Sequence, residues 1–185
     1  MGDHADQVLG LTALAVMDRL RAGLAAGAAR SEVEAGALVH LQAWPGGSLG
    51  DLAAVVGLSQ PATVRMVDRL VERGLLRREA GRDRRTVALV LTSAGSRAAD
   101  GVLAARAEAL APLMKQLSGS ERETLEFLLG RVAAGLVEDR QGAVRACRLC
   151  DRHTCESDPG CPLEGTASPV DPRWQRPATS PRPNR

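Results

Sequence analysis

The chain is 185 residues long, 44% apolar and 25% charged, with a formal net charge of +2. That length suits one domain with appendages, and the composition is that of an ordinary globular fold rather than a disordered or membrane-embedded chain. The longest charge-free apolar stretch near the N-terminus, Val8–Met17, falls far short of the ~20 residues a bilayer span needs. Asp3 and Asp6 before it and Arg19 and Arg21 after it do not suit an export signal, so a cytoplasmic protein with no membrane association is expected.

Charge is unevenly placed. Lys115 is the single lysine among 24 basic residues, and between Gln60 and Arg85 eight arginines (65, 69, 73, 77, 78, 82, 84 and 85) meet four acids (Asp68, Glu72, Glu79 and Asp83). An excess of four positive charges in a chain that totals +2 points to a polyanionic partner, with a solvated helix face as the bland alternative.

In chain order, Val8, Leu11, Ala15, Leu20 and Leu24 recur at a helical period and predict a first helix over about 6–27. Ser31 with Glu34 is a capping box for a second helix whose inner face is Ala37, Leu38, Leu41 and Trp44, stopped by Pro45-Gly46-Gly47. Ser48 with Asp51 repeats that logic for a short helix ended by Gly57; Ser59 is expected to cap the next, which tolerates Pro61 in its first turn and stops at Gly74. Leu75–Arg78 and Thr86–Leu91, around the charged run Glu79–Arg85, predict a hairpin. Thr92 caps a long helix to about Gln116, bent near Pro112. Ser118 with Glu121 starts another, whose Leu125, Leu128, Leu129, Val132, Leu136 and Val137 form an apolar stripe.

A short helix, a tight turn, an arginine-bearing helix and a hairpin, in that order, make a winged helix-turn-helix. The fold class read from this is mainly α with a small β-hairpin wing, a winged head plus long dimerisation helices. In such a head the second helix offers its first side chains to base edges in the major groove, and a cationic loop suits the negative potential of a narrow minor groove.

At residue level the chain resembles the MarR family of bacterial transcription regulators. The resemblance rests on Gly57-Leu58-Ser59, on the run from Val67 to Arg78, on Asp83-Arg84-Arg85 and on Leu91-Thr92-Ser93-Ala94-Gly95, a D-x-R…L-T-x-x-G signature. In helix order and length it extends over about 6–138, leaving 144–163 as a separate cysteine segment and 164–185, with five prolines, as a tail expected to be disordered. The resemblance implies a homodimer that reads a near-palindromic operator in double-stranded DNA, most simply as a repressor, with a small-molecule effector site between dimerisation helices and head. It also implies that Ser59, Gln60, Ala62, Thr63 and Arg65 form the exposed start of the recognition helix, with Arg82, Arg84 and Arg85 on the wing. Where family members commonly have valine followed by a polar residue, this chain has Thr63 followed by Val64. Arg69 and Arg73, alternating with Asp68 and Glu72, are read as phosphate contacts or intrahelical ion pairs rather than base readers.

All four cysteines fall within 15 residues as Cys147-x2-Cys150-x4-Cys155-x5-Cys161, with His153 as a bystander. Four thiolates at such spacing suit a tetrahedral zinc site, with Arg145, Arg148 and Arg152 placed to offset its charge. Iron–sulfur ligation uses the same donors, and thiol redox chemistry or unliganded thiols are the other readings. The rival functions are a thiol oxidoreductase using Cys147 and Cys150, or a protein-interaction module. The first lacks the βαβ context of such enzymes, and His4, His40 and His153 suggest no catalytic grouping.

Overall fold

The architecture is organised around a helix with almost no solvent face. In the computed structural model, which describes residues 3–25, 27–81, 87–155 and 160–163, the elements are α1 (His4–Ala25), α2 (Glu32–Ala43), α3 (Leu49–Val56), α4 (Gln60–Glu72), β1 (Leu76–Ala80), β2 (Val87–Leu91), α5 (Ser93–Met114), α6 (Gly119–Gly135), α7 (Arg140–Ala146) and α8 (Arg152–Cys155), with a 3-10 turn at Cys147–Leu149. Every residue of α2 from Glu34 to Leu41 is buried, because α1, α3, α5 and β2 all pack against it. The expected mainly helical winged head is therefore present.

The caps repeat the sequence logic with two exceptions. Ser48 with Asp51 and Ser118 with Glu121 form complete capping boxes, and Gly57 closes α3 at φ 70°, a conformation only glycine adopts without strain. At Ser31 the box is half formed: its hydroxyl accepts from Glu34 N at 3.2 Å, but the Glu34 carboxylate accepts from Arg30 N instead. Ser59 occupies the N-cap of α4 without a side-chain capping bond, which corrects the expectation that it caps that helix. The Thr63 hydroxyl donates to the Ser59 carbonyl at 3.0 Å.

The hairpin pairs Leu76 with Leu91 and Ala80 with Val87, so β1 runs two residues beyond the predicted Arg78. Gly46 and Gly47 do more than stop α2. Gly46 N donates to Leu89 O, and Leu89 N donates to Gly47 O, both at 3.0 Å, stitching the wing to the α2–α3 turn. Thr92 then caps α5 through Gly95 N and donates to the Gly74 carbonyl at 2.6 Å, tying the end of the recognition helix to the start of α5.

The outer helices are differently built. Of the five periodic positions of α1 only Leu24 is buried, and α6 has no buried residue. Alpha helix α1 meets α5 through small side chains: a Cβ at Gly23 would stand 3.4 Å from Ala105 O and 3.7 Å from Ala109 Cβ. Helix α6 ends at Gly135, so Leu136 and Val137 lie beyond the stripe on which the sequence placed them. Asp139 caps α7, accepting from Gly142 N at 2.7 Å, and α7 packs on α3. Among the described residues, no helix is long and apolar enough to cross a membrane.

Candidate nucleic-acid interface

Helix α4 divides cleanly into two faces. Thr63, Met66, Val67 and Leu70 are buried, seated in the core with Leu38, Leu52, Val55, Leu76 and Leu89. Gln60, Pro61, Arg65, Arg69 and Glu72 are exposed, and positions 61, 65, 69 and 72 recur at one helical period, so they share one face. The buried face holds the helix rigidly while the other stands free to enter a groove.

Three sequence assignments change. Thr63, expected at the exposed start of α4, is fully buried, with 0% relative exposure. Its hydroxyl is satisfied by the i−4 carbonyl of Ser59, a back-bond that lets threonine sit in an apolar face. Val64 is the half-exposed residue of the pair. Arg73 does not pair within α4: it reaches Glu34 of α2 at 2.7 Å and donates to the Ala28 carbonyl. Asp68 does not pair within α4 but takes Arg78 of β1 at 2.6 Å, bracing the wing against the recognition helix. Arg65 and Arg69 form no ion pair among the described residues, which leaves both cations available to an anion. Ser59 and Gln60 are exposed and Ala62 is half-buried. Arg82, Arg84 and Arg85 lie outside the described residues.

Arg145, expected from the sequence to offset charge at the cysteines, lies instead at the α3–α4 turn, a place the sequence reading missed. Helix α7 lays its guanidinium against the α3–α4 turn, 3.1 Å from where a Cβ on Gly57 would stand. Arg145, Gln141, Gln60, Leu58 and Ala53 line an open cavity of about 400 Å³. The available signal was Asp139 as a cap before Arg140–Ala146, masked by reading the α6 stripe too far.

The cysteine segment is gathered and docked. Cys147, Cys150, Cys155 and Cys161 are half-buried free thiols. Cys147 and Cys150 are hydrogen-bonded through their side chains, and Cys155 bonds to Cys150. The side-chain hydrogen bond with Cys147 lowers the Cys150 thiol to about 6, against burial and helped by the Arg106 charge; the same bond, together with burial, pushes Cys147 well above the usual thiol range. His153 is exposed.

Comparison with known proteins agrees with this geometry. Residues 31–87 match the family model described as MarR family. A MarR family protein from Bacillus stearothermophilus is similar in structure, at 25% identity and a TM-score of 0.62, with 69% of this chain and 89% of that one covered. A probable transcriptional regulator from Pseudomonas aeruginosa is similar at 28% identity and a TM-score of 0.53, covering 70% and 99% respectively. Wild-type MarR from E. coli shares the fold at 22% identity and a TM-score of 0.58, covering 71% and 98%. No curated protein sequence matches the chain.

Proposed function

We propose that this chain, whose residues 31–87 match the MarR family model, is a sequence-specific DNA-binding transcriptional regulator that works as a homodimer. The observation that carries the reading is the two-faced α4, with Gln60, Arg65 and Arg69 exposed on a helix whose opposite face is locked in the core. Arg145, beside Gln60 at the head of that helix, adds a cation suited to a flanking phosphate. The match over 31–87 supports this reading over the thiol oxidoreductase.

Dimerisation is supported by apolar surface that the single chain leaves open: Leu11 (69%) and Leu14 (71%) on α1, Phe127 (66%) on α6 and Leu136 (78%) just past it. Several large apolar side chains left this exposed suit an association surface. Two heads held by such an interface would read a near-palindromic operator, and occupation of that operator suffices for repression without a separate activating surface. A small effector, or the cysteine segment, would act by changing the spacing of the heads.

The test is retention of duplex DNA fragments over a salt series. Log affinity should fall linearly with log salt, with a slope set by the phosphates neutralised. Arg65→Ala should weaken the preferred site by about 1–3 kcal/mol and relax its sequence preference if Arg65 reads a base edge. Arg84→Ala should weaken all sequences more evenly. A wild-type protein with no salt-dependent duplex binding, or an isotherm unchanged in both variants, overturns the reading.

A further inference from the structure

The residues after α6 lie beyond the family match and touch both halves of the molecule. On the head side, Arg148 pairs with Glu32 of α2, and its methylenes lie 3.4 Å from where a Cβ on Gly36 would stand. Arg152 sits over the Trp44 ring, 4.2 Å from its centroid, and Leu149 packs against the core. On the other side Pro162, next to Cys161, lies 3.3 Å from the Cβ position of Gly130 on α6, and Leu163 is buried. The Arg106 guanidinium of α5 is near enough to Cys150 for its charge to act on that thiol.

Between these anchors stand four thiols and little apolar material. Cys147, Cys150 and Cys155 are joined by side-chain hydrogen bonds, and Cys155 and Cys161 are near enough to Cys147 for their charges to act on it. The Cys147–Cys150 backbone closes a tight turn, with Cys150 N donating to Cys147 O at 2.9 Å. A segment with so small a core must offset its ordering entropy by something other than burial.

We propose that Cys147, Cys150, Cys155 and Cys161 bind one zinc ion, and that this site clamps α6 to α2. Zinc is the cation whose tetrahedral preference and affinity for thiolate suit four cysteines and no other donor. On binding, the cysteines give up whatever thiol protons they still carry to solvent as four Zn–S bonds form, and no electron moves. The resulting charge of −2 would be offset by Arg106, whose charge already acts on Cys150, and by Arg148 and Arg152 of the same segment. The thiols are neighbours rather than a closed shell: among the described residues, no group of three or more His, Cys, Asp or Glu side chains stands ready to hold a metal ion. Ligation therefore turns the four side chains toward a common centre and tightens the segment against Gly130 and Gly36. The metal site stands independently of the DNA-binding reading, and only its effect on the heads rests on that reading.

The experiment uses the full chain purified under reducing conditions. Elemental analysis should give one zinc per chain, without iron or acid-labile sulfide, and thiol titration should be slow until a chelator is added. Cadmium substitution should give a thiolate-to-metal charge-transfer band of four-thiolate intensity, and hydrogen exchange of 147–155 should slow on adding Zn²⁺ to metal-free wild type. Using wild type for these readouts avoids dependence on Cys150→Ser, which should lose the ion but is at risk of misfolding. Chelation should change affinity for a duplex fragment roughly tenfold, the scale of an ordinary coupling between sites. Iron with sulfide overturns zinc in favour of an iron–sulfur cluster. No stoichiometric metal, with four thiols reacting at once, overturns the site altogether. Bound zinc with unchanged DNA affinity overturns the clamp's regulatory role, whereas loss of DNA binding with and without zinc strikes the functional reading and not the site.

Discussion

Glu34 and Arg73, 39 residues apart in sequence, meet at 2.7 Å with side chains only 6% and 22% exposed. The pair joins the start of α2 to the end of α4, and Arg73 also takes the Ala28 carbonyl, so α4 is fastened to the central helix at the end far from Gln60 and Arg65. Removing one partner leaves a buried charge uncompensated, which costs more than the intact pair contributes. Arg73→Ala should therefore destabilise the fold by about 3 kcal/mol, read as a lower denaturant midpoint at unchanged slope. Glu34→Gln, which keeps an acceptor for Arg73, should cost less. Equal stability of Arg73→Ala and wild type would show that the pair contributes nothing.

Gly95 explains in steric terms the glycine of the L-T-x-x-G run. A Cβ there would stand 2.0 Å from the Leu75 carbonyl oxygen, a backbone atom with no freedom to retreat, while Gly95 N donates to Thr92 at 3.1 Å. Gly95→Ala must push the wing away from α5 and should cost several kcal/mol, beyond the ~1–3 of ordinary overpacking. In the same helix Gly101 has no atom within 4 Å of its Cβ position, so Gly101→Ala should be neutral or stabilising by ~0.5–1 kcal/mol. Thermal melts of the two variants, run side by side, decide this; similar midpoints would remove the steric account.

His40 is 3% exposed in α2, stacked on Trp44 at 4.8 Å between ring centroids. Burial lowers its pKa from 6.5 to about 4, with Asp51 opposing and Arg152 assisting. A folded pKa below the unfolded one means that the unfolded chain binds more protons between these values, so stability is highest above pH 6.5 and is lost as pH falls toward 4. The loss attributable to His40 is on the order of 3 kcal/mol at most. Unfolding free energy measured from pH 7 to pH 4 should fall less steeply in His40→Leu than in wild type. Parallel curves would mean that His40 does not titrate with folding.

Local signals served the fold well and tertiary ones less so. Ser48 with Asp51, Ser118 with Glu121, Gly57 and Thr92 act where local chemistry placed them, because caps and turns need only near neighbours. The face of α4 was partly legible: Gln60 and Arg65 are exposed as read, but helical period alone could not decide between Thr63 and Val64, since a threonine bonded to its i−4 carbonyl is accepted in a core. The partners of Asp68 and Arg73 lie on other elements, and charge spacing along one helix suggested the nearer ones. Helix α7 and Arg145 were hidden because Leu136 and Val137 extended an apolar rhythm past the point where α6 stops.

Leu129 offers the sharpest test of the dimer. It is 48% exposed on α6, with Phe127 and Leu128 at 66% and 49% and the Leu11 and Leu14 side chains of α1 more exposed still, so in the single chain a charge at 129 meets water and costs little. In a homodimer closed over this surface the same charge would be desolvated without a partner, at several kcal/mol. Leu129→Glu should thus retain its helical circular dichroism while its dimer dissociation constant rises by more than a hundredfold, since about 3 kcal/mol is two decades. Exposed Glu123→Gln on the same helix serves as the control and should leave assembly unchanged. Sedimentation across a dilution series reads both. A Leu129→Glu protein that stays dimeric at nanomolar concentration would move the interface away from α6, and a wild type that is monomeric throughout would remove the dimer itself.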